Sequence, residues 1–327
     1  MASPQLAGPL RDPSHASALS GRVLVADVSI SHPDRMLFPD AGVTKVDLAR
    51  YYESIADWIV PHLVDRPLTL VRCPSGLAAT AGKPAEPQCF YMKHSKVWAP
   101  PALRRVRIRE KNKIGEYLIA DSLSAVVGLV QMNILEIHTW NSRFSNIEHP
   151  DRLVIDLDPG EQVSWSRVVA AGRVVRELLA TLNLDSFAKT TGGRGLHVVV
   201  PLTPRADWSE CLAFARELAR SLVRSQPEIF TERFAKRGRE DKILVDYLRN
   251  NRTNTSIAAY STRARSVAPV SVPVAWSELT AARAPDRFTI ETVPSRLTRL
   301  RTDPWKDYGK TRQTIPRGAM AALAKVP

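Results

Sequence analysis

The chain has 327 residues, 44% hydrophobic and 24% charged, which excludes a disordered protein and leaves length for a substantial core. Its net charge of +13 and pI near 10.0 favour polyanionic partners, nucleic acid first among them, although many basic proteins are merely soluble. No apolar stretch approaches the roughly 20 residues of a membrane span, and residues 1–20, rich in Pro, Ser and Ala, lack a signal-like apolar core and read as a disordered tail.

In chain order, Arg22 to Val28 reads as a first strand and Ser31 to Pro39 as a Pro-bounded loop. Thr44 caps a helix with Asp47 three residues on, and Leu48, Tyr51, Tyr52, Ile55 and Ile59 share one face, with Pro61 marking its end. Leu68 to Cys73 is a strand, followed by a Gly/Ala/Pro-rich loop and Cys89 to His94. Arg105, Arg107, Arg109 and Lys111 alternate with Val106 and Ile108, giving a half-buried strand whose cationic face is either a solvated edge or a contact for nucleic-acid backbone. Asp121 to Met132 is helical, and Leu135 to Trp140 is a strand on which Glu136 and His138 share a face. Ser166 to Leu182 is a helix, Phe187 to Thr190 and Leu196 to Leu202 are strands, and Asp207 with Glu210 caps a helix to about Arg224. From Ser277 the pieces are short. Several connections look too short for parallel crossovers, so a mixed α/β or α+β architecture is expected over a doubly wound sheet, with residues 21–310 folded and 311–327 a tail.

Cys73, Cys89 and Cys211 are odd in number and lack Cys-x-x-Cys spacing, which fits free thiols in a reducing, cytoplasmic compartment. A structural zinc site is not expected; Cys73, Cys89 and His94 are the conceivable exception.

Three carboxylates carry the chemistry. Asp156 and Asp158 interrupt the apolar run Arg152 to Gly160, and Asp246 interrupts Lys242 to Leu248. Strand alternation puts Asp156 and Asp158 on one face, roughly 7 Å apart. Divalent cations beside them would keep both ionised, as in-line phosphoryl or nucleotidyl transfer requires. The reading requires Asp246 to join the pair with no lysine or arginine salt-bridged between them.

Thr190 to His197 holds three glycines in four positions, so it is either a backbone cradle for an anion, helped by Arg194 or His197, or a tight turn. It is neither a P-loop nor a Rossmann fingerprint. Arg249, Arg252, Arg263 and Arg265 surround a polar stretch after the third acid, suited to phosphate oxygens or to solvent. Phe90 and Tyr91 beside Lys93 and His94 suit base stacking with phosphate contact, or are core aromatics.

Together the stretches His32–Pro39, Phe90–His94, Leu135–His138, Val154–Gly160, Thr191–His197, Val245–Asn250 and Tyr260–Arg265 resemble the polymerase domain of bacterial ligase D, a branch of the archaeo-eukaryotic primase superfamily, over roughly residues 25 to 310. The resemblance implies a primase-polymerase core of two interlocked subdomains, with Asp156, Asp158 and Asp246 binding two Mn or Mg ions. It implies that Thr191, Gly193, His197, Arg249 and Arg263 serve the triphosphate, that His138 lines the nucleotide pocket, and that Phe90 stacks on the base. Arg35 and Lys45 would bind a 5′-phosphate at a DNA gap. The implied activity is filling of gaps and ends in non-homologous end joining, often with ribonucleotides in preference to dNTPs, alongside Ku and a ligase in a nucleoid-associated setting. Thr191 replaces the usual Ser, Arg35 a usual Lys, and His32 a frequent Asn. No Lys-x-Asp-Gly adenylation motif is present, so an excised domain or a stand-alone polymerase is implied. Alternatives are a de novo primase, a DNA-end-bridging module with little catalysis, and a nuclease using the same metals.

Overall fold

Runs of Val, Ile and Leu, which suit pleated and buried backbone, build two sheets that face each other. The computed structural model describes residues 21–77, 89–95, 98–282 and 285–326, so the expected tail at 1–20 lies outside it. The larger sheet has six strands in the order Phe230–Thr231, Ile243–Asp246, Arg152–Pro159, Leu196–Pro201, Phe187–Thr190 and Pro273–Val274. All pairs are antiparallel except the first. The smaller sheet orders Ser256–Ile257, Ile134–Thr139, Leu68–Arg72 and Phe90–Met92, antiparallel throughout. The mixed α/β expectation is met, with one parallel connection, from Phe230–Thr231 to Ile243–Asp246.

Each sheet buries one face under helices. Leu153, Ile155, Leu157, Leu196, Val198 and Val200 share a core with Val168, Val175 and Leu179 of helix Trp165–Thr181 and with Phe214 and Leu218 of helix Trp208–Ser225. Leu70, Leu135 and Ile137 pack in the same core with Leu48, Ile59, Val126 and Leu129. The opposite faces therefore look at each other. Arg152 joins them by donating to Thr139 Oγ1 and to the Trp140 carbonyl, and Lys189 Nζ donates to the Ile257 carbonyl. Trp305, with Val154 and Val199, closes one end of the gap and leaves the other open.

Both expected capping boxes form, Thr44 with Asp47 and Asp207 with Glu210. Four expectations change. The first strand is a hairpin, Arg22–Val25 with Val28–Ser31, because Ala26 and Asp27 both take positive φ in a two-residue turn. The first helix breaks at Ile55 into Lys45–Ser54 and Ala56–Leu63, with Pro61 inside the second piece. Residues 311–326 are not a loose tail. Ala319 and Leu323 are buried, and Arg224 donates to the Leu323 carbonyl.

Finally, Cys73 and Cys89 form a disulfide and only Cys211 is free. Arg72 pairs with Phe90, so the residues just beyond them, Cys73 and Cys89, meet at the next register with Cα atoms 4.2 Å apart. The conceivable zinc site is thereby excluded, and His94 instead bonds Glu110 at 2.8 Å.

Candidate active site

Strand register assembles the acids. Asp156 lies directly opposite Asp246 on one side and His197 on the other, and His197 lies opposite Lys189. Cross-strand partners share a face, so Asp246, Asp156, His197 and Lys189 form one row across four strands. Asp158, two residues along, shares that face at the open end with its side chain 52% exposed. Sequence reasoning placed the trio together, and the structure does so.

It also places cations on them. Arg249 Nε lies 3.0 Å from Asp156 Oδ2 and 3.1 Å from Asp246 Oδ2, and Arg239 Nη2 lies 2.7 Å from Asp158 Oδ2. This contradicts the expectation of an unbridged trio. The physical reason is that two buried carboxylates on neighbouring strands need a counter-charge, and Arg249 supplies it. Burial raises the Asp156 carboxyl, but His197 and Arg249 outweigh that and hold it well below the usual carboxylate range. Asp246 is raised by burial and by the charges of Asp156 and Asp158, against the pull of Arg249.

The glycine turn abuts this row. Gly192 has φ +67°, and a Cβ on Gly195 would come within 2.7 Å of the Leu157 carbonyl, so glycine alone lets the turn lie against the acid strand. Thr191 Oγ1 bonds the Gly195 carbonyl, and His197 Nδ1 is buried with no hydrogen-bond partner. Arg194 is tied to the Glu161 and Val163 carbonyls.

Asp156, Asp158, the turn and the smaller sheet line a cleft of about 500 Å³, a size suited to a nucleotide. His138, Thr191, Gly193, His197, Arg249 and Arg263 all line it. Tyr91 lines it too, whereas Phe90, on the other face of its strand, is 47% exposed and lies outside the lining. Arg35 and Lys45 sit together elsewhere, the Lys45 amide donating to the Arg35 carbonyl. Lys45 Nζ is buried against the Gln131 carbonyl, and burial with Arg35 and Arg22 pushes its pKa down to about 8. Sequence reasoning missed Arg239, which lies in a charge-rich loop without pattern. It offered Phe90 and Tyr91 together for stacking, whereas strand alternation separates the two.

The family model for the LigD primase-polymerase domain matches residues 44–305. The chain belongs to this family. It is therefore a mixed α/β nucleotidyltransferase domain of the archaeo-eukaryotic primase superfamily. It is 39% identical over 318 residues to the multifunctional non-homologous end joining protein LigD of Pseudomonas aeruginosa, covering 97% of this chain and 37% of that protein. The bifunctional LigD of Bacillus subtilis is 27% identical over 290 residues, covering 88% of this chain and 45% of the relative. The chain thus spans less than half the length of these relatives. A solved structure of the polymerase domain of Mycobacterium tuberculosis ligase D in complex with DNA superposes with a TM-score of 0.75 at 32% identity, covering 83% of this chain and 94% of that one. Among the described residues no helix is long and apolar enough to cross a membrane.

Proposed function

We propose that the chain extends a primer across gaps and ends of broken DNA, with a preference for ribonucleotides and with two Mn or Mg ions held by Asp156, Asp158 and Asp246. The observation that carries this reading is the row of Asp246, Asp156 and His197 beside the glycine turn. The donor chemistry suits such ions: hard carboxylate oxygens on one face, with Asp246 repelled by its acidic neighbours. With Arg249 and Arg239 paired to these acids, however, no three donors among the described residues are gathered to hold a metal. When bound, the ions would lower the pKa of the primer hydroxyl and offset charge that develops on the phosphates.

The chain's own residues do the rest. Arg249 leaves the carboxylates for the triphosphate, where its planar fork suits phosphate oxygens. The Thr191–Gly195 turn brings backbone N–H groups to the same anion, and His197, whose Nε2 lies 3.4 Å from Asp156 Oδ2, lines the cleft beside it. Arg263 completes the set, His138 meets the nucleotide, and Tyr91, which lines the cleft where Phe90 does not, offers a face for stacking. The primer 3′-hydroxyl attacks the α-phosphate of the NTP held in line, and pyrophosphate leaves. Arg35 and Lys45, adjacent through the Lys45 N–H to the Arg35 carbonyl, take a 5′-phosphate at the downstream edge of a gap. Ku and a DNA ligase are the partners this activity calls for.

Extension of a primer on a gapped, 5′-phosphorylated duplex tests the reading, comparing NTP with dNTP and Mn with Mg. Incorporation that depends on the template and is favoured with NTP is expected; binding without incorporation would refute it.

A further inference from the structure

The wall opposite the acids holds a carboxylate to which the mechanism above gives no part. Glu136 has its side chain 6% exposed, on the same strand face as His138. Its Oε2 lies 2.7 Å from His138 Nε2, and its Oε1 lies 2.9 Å from Arg263 Nε and accepts the Ala264 backbone N–H at 2.9 Å. The segment carrying Arg263 is tied to the Glu136 strand from both sides. The Ile137 N–H donates to Ser261 Oγ at 2.9 Å, and Thr262 Oγ1 donates to the Leu135 carbonyl at 2.6 Å. Arg263 Nη1 then reaches the Thr191 carbonyl at 2.8 Å, at the start of the glycine turn.

We propose that Glu136 is a positioning residue for the incoming nucleotide: it fixes the proton on His138 Nε2 and holds Arg263 across the cleft toward the glycine turn. The inference rests on the polymerase reading above. Burial raises this carboxyl, but His138 and Arg263 outweigh that and bring it down to about 2, so it is ionised at neutral pH. An ionised carboxylate only accepts hydrogen bonds, so the nitrogen facing it carries the proton. In the neutral imidazole Nδ1 is then an acceptor, which takes a hydroxyl proton and repels phosphate oxygens. Arg263 loses its freedom of orientation. Buried ionic clusters contribute little net stability, and their best-supported role is fixing one arrangement among several.

Titration calorimetry of ATP with Mg²⁺ into the full chain tests this, alongside steady-state primer extension and binding of a gapped duplex. Glu136→Gln keeps the volume but removes the charge and offers His138 a donor. It is expected to weaken ATP binding about tenfold and raise the KM for NTP by a similar factor, with kcat changing less than about threefold and duplex affinity unchanged. In a His138→Ala, Arg263→Ala background, which relieves any folding penalty of losing the charge, adding Glu136→Gln should leave ATP affinity where it was. Unchanged ATP affinity in the single variant, or a full tenfold loss in the combined one, would overturn the proposal. A wild-type chain that binds ATP but extends no primer would refute the polymerase reading and leave Glu136 to be judged by the binding cycle. A wild-type chain that binds no ATP would overturn both.

Discussion

Asp156 stands directly across from Asp246 in the antiparallel pairing of their strands, and one arginine, Arg249, bridges both carboxylates. The strands bring two like charges to neighbouring positions, and their repulsion is offset by a side chain that itself lines the cleft. Filling the site with cations and triphosphate would exchange one set of ion pairs for another.

Arg249→Met should therefore destabilise the chain in chelator by about 1–2 kcal/mol, because two buried acids lose their partner. Mn²⁺ or Mg²⁺ should restore more stability to this variant than to the wild type. Thermal unfolding with and without divalent ion checks this; equal metal-induced shifts in the two proteins would contradict it.

Cysteine labelling separates the disulfide from the thiols that composition alone suggested. Cys211 is buried, and burial with Asp207 and Glu210 pushes its thiol up to about 12, so the native protein should resist iodoacetamide. Denaturation should expose one labelled cysteine, and reduction in denaturant all three. Three labels without reductant would show Cys73 and Cys89 unlinked.

His62 gives the fold an acid-sensitive element. Its ring lies 5.6 Å from that of Trp305 and 6.0 Å from that of Tyr260. Burial, with Arg152, Arg66 and Lys189 nearby, pushes its pKa from 6.5 down to about 3. Between those values the unfolded chain binds the proton and the folded chain does not, so this contribution to stability is lost as pH falls from about 6.5. From pH 7 to pH 5 the wild type should lose about 1–2 kcal/mol more than His62→Gln in urea unfolding. Parallel losses would refute the assignment.

Asn250 holds Arg249 in place. Its side chain, 1% exposed, accepts the Val154 N–H and donates to the Val154 carbonyl, both at 2.8 Å, extending the sheet where strand Ile243–Asp246 stops. Asn250→Ala should cost about 2–3 kcal/mol in urea unfolding by leaving both backbone groups unpaired, and should raise the KM for NTP as the turn bearing Arg249 loosens. A variant as stable as the wild type would contradict this role.

What was legible in the chain follows from how local each signal is. Thr44 with Asp47 and Asp207 with Glu210 announce helix starts because a cap spans three residues. The shared face of Asp156 and Asp158 follows from the period of a strand. That Asp246 pairs with Asp156 depends on register between strands some 90 residues apart in sequence, which alternation does not encode; resemblance to the family supplied it. The same blindness to register hid the meeting of Cys73 and Cys89. Arg239 went unnoticed because nothing in the charged run around it distinguishes one arginine from the next; what selects it is Gly160, where a Cβ would come within 2.1 Å of the Arg239 carbonyl. The hairpin at Ala26 and Asp27 lacked the glycine that usually marks such turns.

The central claim is that the aspartate row serves nucleotidyl transfer and not merely the sheet. The most direct test is extension of a gapped, 5′-phosphorylated duplex by Asp156→Ala and Asp246→Ala beside the wild type, with duplex affinity measured in parallel. The predicted result is loss of extension by more than about a thousandfold, equivalent to about 4 kcal/mol of barrier, with duplex affinity largely unchanged. Extension within a few fold of wild type in either variant would contradict the account.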